Sequence, residues 1–111
     1  MTGSQKKFPE LDGEGFLIDP SDWDESVADE LARRADLVLT DEHWAVLRFM
    51  RERYEQDHMA VDARFVIWFI EKTLGKGAAA RDCLYRLFPY GYAQQACKIA
   101  GMRRPRAWST G

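Results

Sequence analysis

The predicted fold depends on residues 65–70, Phe65-Val66-Ile67-Trp68-Phe69-Ile70, a run of six consecutive apolar residues. A short apolar run of this kind is compatible with a buried strand or with a buried helix. Asp62 stands where a helix cap is expected, Gly75 stands where a helix would end, and the segment between them is long for a strand. The sequence therefore predicts a central helix over about 62–74, buried on all sides.

Capping residues and apolar spacing predict four more helices around this one. Asp19-Pro20 is a strong start signal for the first, and Thr40 for the second. The second helix has an apolar face that includes Trp44 and Leu47, and its solvent side is predicted to carry Arg48, Arg51, Glu52 and Glu55. The predicted helices span about 20–35, 41–58, 78–88 and 92–100, and Gly101 is predicted to end the last of them.

Residues 7–18 predict a β-hairpin at the N-terminal end. The apolar residues Phe8 and Leu11 form one arm, residues 12–15 (Asp-Gly-Glu-Gly) form the turn, and residues 16–18 form the other arm. The predicted fold class is α+β and mostly helical. It consists of an N-terminal β-hairpin packed on a bundle of about five short helices, over residues 1–101, followed by a flexible C-terminal arm, 102–111.

The size and hydropathy of the chain exclude several classes of protein. A length of 111 residues suits one domain. No apolar run approaches the roughly 18 residues of a membrane span, and no signal peptide is recognisable at the start. A cytoplasmic protein without membrane contact is the expectation.

Charge is distributed unevenly along the chain. Residues 1–62 hold 7 Lys and Arg against 16 Asp and Glu, whereas residues 63–111 hold 9 against 2. This asymmetry predicts a C-terminal half that meets an anionic partner, and nucleic acid is one candidate. The alternative is that the two halves neutralise each other across the fold.

The thiols are the main candidates for chemistry, because P-loop, Rossmann, zincin and hydrolase motifs are absent. Cys83 is predicted to be a buried core residue. Cys97 lies beside Lys98 and upstream of several arginines, a setting that fits a reactive thiolate and a buried thiol equally well. His43 is predicted to lie at the surface. The two cysteines form no CxxC or Cys/His cluster, so we expect no metal and no cofactor.

The last ten residues predict an arm that binds a partner. Arginines suit anionic groups and an aromatic side chain can anchor an interface, so the predicted contacts are Arg103, Arg104, Arg106 and Trp108. An ordinary frayed terminus is the alternative.

Three segments resemble one family. They are 41–44 (Asp-Glu-His-Trp), 87–91 (Leu-Phe-Pro-Tyr-Gly) and 95–102 (Gln-Ala-Cys-Lys-Ile-Ala-Gly-Met), the last followed by Arg104-Pro105. Together they are similar to the DsrC/TusE/DsvC family of sulfur-relay proteins. The resemblance extends over nearly the whole chain, from residue 12 onward.

The resemblance implies a small helical domain with a hairpin and a mobile C-terminal arm. Members with two arm cysteines carry sulfur as a persulfide or trisulfide and act as substrate proteins of dissimilatory sulfite reductase. TusE-type members keep only the terminal cysteine and relay sulfur toward tRNA thiolation. Cys97 matches the upstream arm cysteine, whereas Trp108 stands at the position of the terminal one.

Two functions follow from this resemblance. In the first, the chain is a sulfur-relay protein that binds or transfers sulfane sulfur through Cys97 and docks its arm on a sulfite reductase or sulfurtransferase partner. In the second, it is a non-catalytic regulatory paralogue, or a nucleic-acid-binding module, of the same fold. A stand-alone active site is not expected, so any catalytic role is at most that of a sulfurtransferase-like carrier.

Overall fold

The computed structural model describes residues 8–58 and 61–103, and its architecture is helical. The α-helices are α1 (Glu25–Arg34), α2 (Asp41–Asp57), α3 (Ala63–Lys72), α4 (Ala80–Leu87) and α5 (Cys97–Ile99). Short 3-10 turns lie at Pro20–Asp22 and Gly77–Ala79, and a π-helical turn, Tyr92–Ala96, leads directly into α5. No helix in the described residues combines the length and the apolar character that crossing a bilayer requires.

Capping residues mark where α2 and α3 begin, and α1 begins later than predicted. The carboxylate of Asp62 accepts the backbone N–H of Arg64 at 2.8 Å, so the predicted cap of α3 is confirmed. Thr40 is the N-cap of α2, also as predicted. The first helix differs from its prediction, because Asp19 caps only a 3-10 turn and the backbone extends at Trp23 and Asp24. Consequently α1 begins only at Glu25.

The predicted β-hairpin is wrong, because no strand forms in the described residues. The turn itself is present: Asp12 Oδ1 accepts the N–H groups of Glu14 and Phe16 at 2.8 and 3.0 Å. Around it, Leu11 and Leu17 form a single isolated antiparallel bridge. The pairing cannot lengthen into strands because Pro9 has no N–H to donate and residues 19–20 already begin the 3-10 turn.

The helix predicted over about 62–74 exists as α3, but its predicted position at the centre of the fold is wrong. Only Val66 and Ile70 are fully buried within α3, whereas Phe65 and Trp68 are 50% and 56% exposed. Phe69 stacks on Phe49 of α2, with ring centres 4.4 Å apart. The helix is therefore covered on its inner side, and its outer aromatic side chains face solvent within the described part of the chain.

The centre of the fold is instead the C-terminal segment, residues 92–102. Its aromatic and aliphatic side chains are almost completely buried, and they are Tyr92, Ala96, Cys97, Ile99, Ala100 and Met102. Side chains from the turn at 12–17, α1, α2 and α4 belong to the same core. The core therefore extends to Met102, the first residue of the predicted arm.

Arg51 links this segment to the rest of the fold. The prediction that Arg51 lies on the solvent side of α2 is wrong, because the residue is 8% exposed. Its guanidinium donates to the carbonyls of Ala100 (3.0 Å) and Pro20 (3.2 Å) and pairs with Glu55 at 2.9 Å. Distant backbone acceptors, which periodicity along α2 cannot reveal, make this burial favourable.

Gly101 ends the last helix, as predicted, in a left-handed conformation with φ of +78°. The N–H of Met102 donates to the carbonyl of Cys97 and the N–H of Gly101 to that of Lys98, both at 3.0 Å, which is a Schellman motif. A Cβ atom on Gly101 would lie 2.3 Å from Trp23 Cδ1. Glycine is therefore required both for the backbone angle and for the contact with Trp23.

We expect Gly101→Ala to lower the free energy of unfolding by about 3 kcal/mol, because left-handed strain adds to an overpacked contact. Urea denaturation measures the change. The matched control is Gly75→Ala, since Gly75 has φ of +72° but open space where its Cβ would be. The control should lose only about 1 kcal/mol. Equal losses in the two variants would contradict the role assigned to the Trp23 contact.

Candidate functional site: a buried thiol beside a π-helical turn

The π-helical turn Tyr92–Ala96 places Cys97 in the fold. It begins after Gly91, which has φ of +95°, and the N–H of Cys97 donates to the carbonyl of Tyr92, five residues earlier. Such turns are rare, and they occur disproportionately at functional sites. Sequence periodicity does not distinguish this turn from an ordinary helix, so the sequence predicted only a fifth helix here.

Cys97 is completely buried at the centre of the core. Burial raises the pKa of its thiol to about 12, and a hydrogen bond with Tyr92 lowers that pKa by a smaller amount. The Tyr92 hydroxyl donates to the backbone carbonyl of Val61. Burial raises the pKa of Tyr92 as well. In this conformation Cys97 is a protonated thiol without access to solvent.

The cation next to Cys97 in sequence does not reach it in space. The Nζ atom of Lys98 instead lies 5.1 Å from the centre of the Phe16 ring. Among the described residues, neither Lys98 nor another cation contributes to the shifted pKa of Cys97. Of the two alternatives that the sequence left open, the described conformation shows the buried thiol.

His43 lies in the interior, so the prediction of a surface position is wrong. It is 5% exposed, and its ring meets Phe88 edge-on with centres 5.2 Å apart. Nδ1 accepts the backbone N–H of Thr40 at 3.0 Å, and Nε2 lies 2.7 Å from the carbonyl of Leu87. Because a ring nitrogen that accepts from an N–H must be unprotonated, Nε2 is the nitrogen that donates to Leu87.

Of the predicted partner-binding residues, the structure describes only Arg103. Arg103 is exposed at the end of the described residues. Arg104, Arg106 and Trp108 lie outside the described residues. Cys83 is buried as predicted, and Arg86 donates to its sulfur at 3.5 Å.

Ion pairs cancel part of the charge asymmetry between the halves of the chain. Glu42, from the acidic half, lies 2.6 Å from Lys76 and 3.9 Å from Arg86, both from the basic half. The Lys76 ammonium lowers the pKa of Glu42. The alternative of neutralisation across the fold is therefore realised at this position. Within the described residues, no group of three His, Cys, Asp or Glu side chains is arranged as metal ligands would be.

Together, the fold and the site define a class: a small helical domain built around an enclosed cysteine, with core packing that continues to Met102. Comparison with known proteins specifies this class further. The family model described as "DsrC like protein" matches residues 4–107. The chain belongs to this family, which confirms the resemblance noted from its motifs.

Individual relatives agree with this assignment. The sulfurtransferase TusE of Photorhabdus laumondii is 41% identical over 96 residues, which cover 86% of each chain. The oxidised γ-subunit of the dissimilatory sulfite reductase (DsrC) from Archaeoglobus fulgidus superposes with a TM-score of 0.79 at 32% identity and covers 94% of this chain and 95% of its own. DsrC from Allochromatium vinosum has a TM-score of 0.77 at 42% identity and covers 88% of each chain.

We expect the native Cys97 thiol to react with iodoacetamide at pH 7.5 more than about 1,000-fold more slowly than in the unfolded chain. A pKa near 12 leaves far less thiolate than the ordinary value of about 8.5, and burial blocks access as well. Peptide mapping by mass spectrometry after timed alkylation gives the rate at Cys97. The same chain in concentrated guanidinium is the control, and similar rates in both states would contradict the described enclosure.

We expect the free energy of unfolding to decrease as the pH falls below about 6.5. Desolvation is the main cause that lowers the pKa of His43. As the pH falls, His43 therefore takes up a proton in the unfolded chain before it does so in the folded chain. The stabilisation is complete above 6.5, the ordinary pKa of histidine, and declines below it. This decline begins at pH values higher than those at which carboxyl groups take up protons. Urea denaturation between pH 7.5 and 5.0 measures this slope, and it should flatten in His43→Gln. An unchanged slope in that variant would refute the assignment to His43.

Proposed function

We propose that this chain takes part in sulfur relay as a docking protein, binding a sulfite reductase or sulfurtransferase partner while Cys97 remains in the core. The family and the named relatives support the link to sulfur metabolism, since those relatives include a sulfurtransferase and the γ-subunit of a dissimilatory sulfite reductase. None of the named relatives is described as binding nucleic acid.

The observation that carries the docking role is the enclosure of Cys97. A sulfur carrier attacks as a thiolate and must meet the sulfur atom of its donor. Cys97 is 0% exposed, and its pKa is raised to about 12. Both properties oppose attack at neutral pH. Trp108 stands where the resemblance places the terminal cysteine, and indole carries no sulfur chemistry.

In this proposal the partner contacts are C-terminal residues, of which the structure describes Arg103. Arg103 is exposed directly after the buried Met102, so the partner would meet the chain where it leaves the core. Arg104, Arg106 and Trp108 follow within five residues. Guanidinium groups bind carboxylates in paired geometry, and a tryptophan in a pocket commonly provides much of the binding energy at an interface.

A second candidate is a carrier role for Cys97 after the core has opened. The π-helical turn favours this candidate, because its hydrogen bond from the N–H of Ala96 to the carbonyl of Gly91 is long, at 3.4 Å. A partner that binds the C-terminal residues would then expose the thiol before sulfur is transferred. The two candidates predict different outcomes for sulfur loading.

The loading experiment incubates the native chain with a persulfide donor and measures its intact mass. We expect no added sulfur atom, about 32 Da, on Cys97, because the thiol is protonated and enclosed. A two-cysteine DsrC treated in parallel is the positive control. The variant Cys83→Ala assigns any added mass to Cys97. Loading of the native chain at the rate of the control protein would refute the docking role and support the carrier role.

A further inference from the structure

A cavity of about 520 Å³ borders the outer face of the segment that holds Cys97. It lies between the turn at 12–15, the end of α1 and the residues around the π-helical turn. Cys97 itself is not among its lining residues. Leu11, Leu31 and Ile99 form apolar walls, and Tyr90, which is 73% exposed, also borders the cavity. Its volume is in the range of about 300–1,000 Å³ that small-molecule sites occupy.

Lys98 supplies a positive charge at the wall of this cavity. Its Nζ atom lies against the Phe16 ring and would be 3.4 Å from a Cβ atom at Gly15, so the glycine lets the turn approach the ammonium closely. Among the described residues, Lys98 forms no ion pair. The Lys98 charge lowers the pKa of the Asp12 carboxyl, but it is the smallest of the effects that lower that pKa.

Gln95 supplies a second polar group that is not fully used. The residue is 4% exposed and lines the cavity. Its Oε1 atom accepts the backbone N–H of Tyr90 at 3.0 Å, which fixes the orientation of the amide. The Nε2 group of Gln95 has no acceptor within the described residues. The Nε2 atom is not among the fully buried polar atoms that lack a partner, so it reaches the open space of the cavity, where a ligand oxygen can accept its hydrogen bond.

Arg34 adds positive potential at the opposite side. It pairs with Glu30 at 2.9 Å, but Glu30 is shared with Arg33, so one carboxylate serves two guanidinium groups. Among the described residues, the cavity therefore combines apolar walls, a lysine that forms no ion pair, a second cation in Arg34 and the amide donor of Gln95.

From this arrangement we propose that the cavity binds a small organic anion, with its charged oxygens on Lys98 and Gln95 and its apolar body between Leu11, Leu31 and Ile99. The charge selects an anion over its neutral analogue, and the walls select an organic anion over an inorganic one. The proposal is independent of the docking role, because it involves neither Cys97 nor the residues beyond Arg103.

The test uses naphthalene-2-sulfonate as the probe and the ¹H–¹⁵N correlation spectrum of the full chain as the readout. We expect saturable shifts confined to residues around the cavity, with a Kd of about 1 mM, which is the affinity that roughly 14 heavy atoms support. Naphthalene-2-sulfonamide, the neutral analogue, should bind at least about 10-fold more weakly. Inorganic sulfate should also bind at least about 10-fold more weakly, since it lacks the apolar body.

Variants of the lining residues assign the interaction. Lys98→Met keeps the contact with Phe16 and removes the charge, so affinity for the sulfonate should fall at least about 10-fold. Lys72→Met, on the exposed side of α3, is the matched control and should bind like the native chain. Gln95→Glu retains an acceptor for the Tyr90 N–H and replaces the amide donor with a carboxylate oxygen, so binding of the sulfonate should be abolished. A well-dispersed correlation spectrum of this variant shows that the chain is still folded.

Three results would each overturn the proposal. They are an absence of shifts at 10 mM sulfonate, equal affinity for the sulfonamide, and unchanged affinity in Lys98→Met.

Discussion

The guanidinium of Arg51 lies where three parts of the chain meet: the 3-10 turn at Pro20, the middle of α2 and the end of the C-terminal segment at Ala100. The faces of the Trp23 and Tyr54 rings lie 4.8 and 5.1 Å from it. A charge buried in this way is tolerated only when acceptors and aromatic faces replace water around it. Because one group holds all three segments, the position of Ala100, and with it that of Cys97 three residues earlier, depends on this contact.

The chemistry of Cys97 follows from this arrangement. A segment that is fixed at its end by Arg51 and closed by the Schellman motif at Gly101 holds its thiol inside the core. The low polarity there favours the neutral thiol, whatever charges flank it in sequence. The outer face of the same segment carries Lys98 and Gln95 at a cavity. The segment that carries the family resemblance is therefore buried on one face and offers polar groups on the other.

Features that depend on local signals in the sequence occur in the structure as predicted. The caps at Thr40 and Asp62 and the stop at Gly101 were predicted correctly, because each depends on residues within a single turn. The hairpin failed because a turn signal does not specify how far pairing extends beyond it.

Arg51 and His43 were misplaced for a different reason. Their burial depends on the carbonyls of Ala100 and Leu87, which are far away in sequence. In the same way, the proximity of Lys98 to Cys97 along the chain gave no information about the direction of its side chain. The π-helical turn left no signal in the spacing of apolar residues.

The burial of Met102 has a mechanical consequence. The described chain passes from a fully enclosed methionine to an exposed Arg103 within one residue, with no flexible spacer between them. Tension applied at Arg103 is therefore borne first by the Schellman hydrogen bonds at Cys97 and Lys98, and then by the bonds from Trp23 to Ile99 and from Arg51 to Ala100. Force at this end of the chain acts directly on the backbone of the residue that carries the thiol.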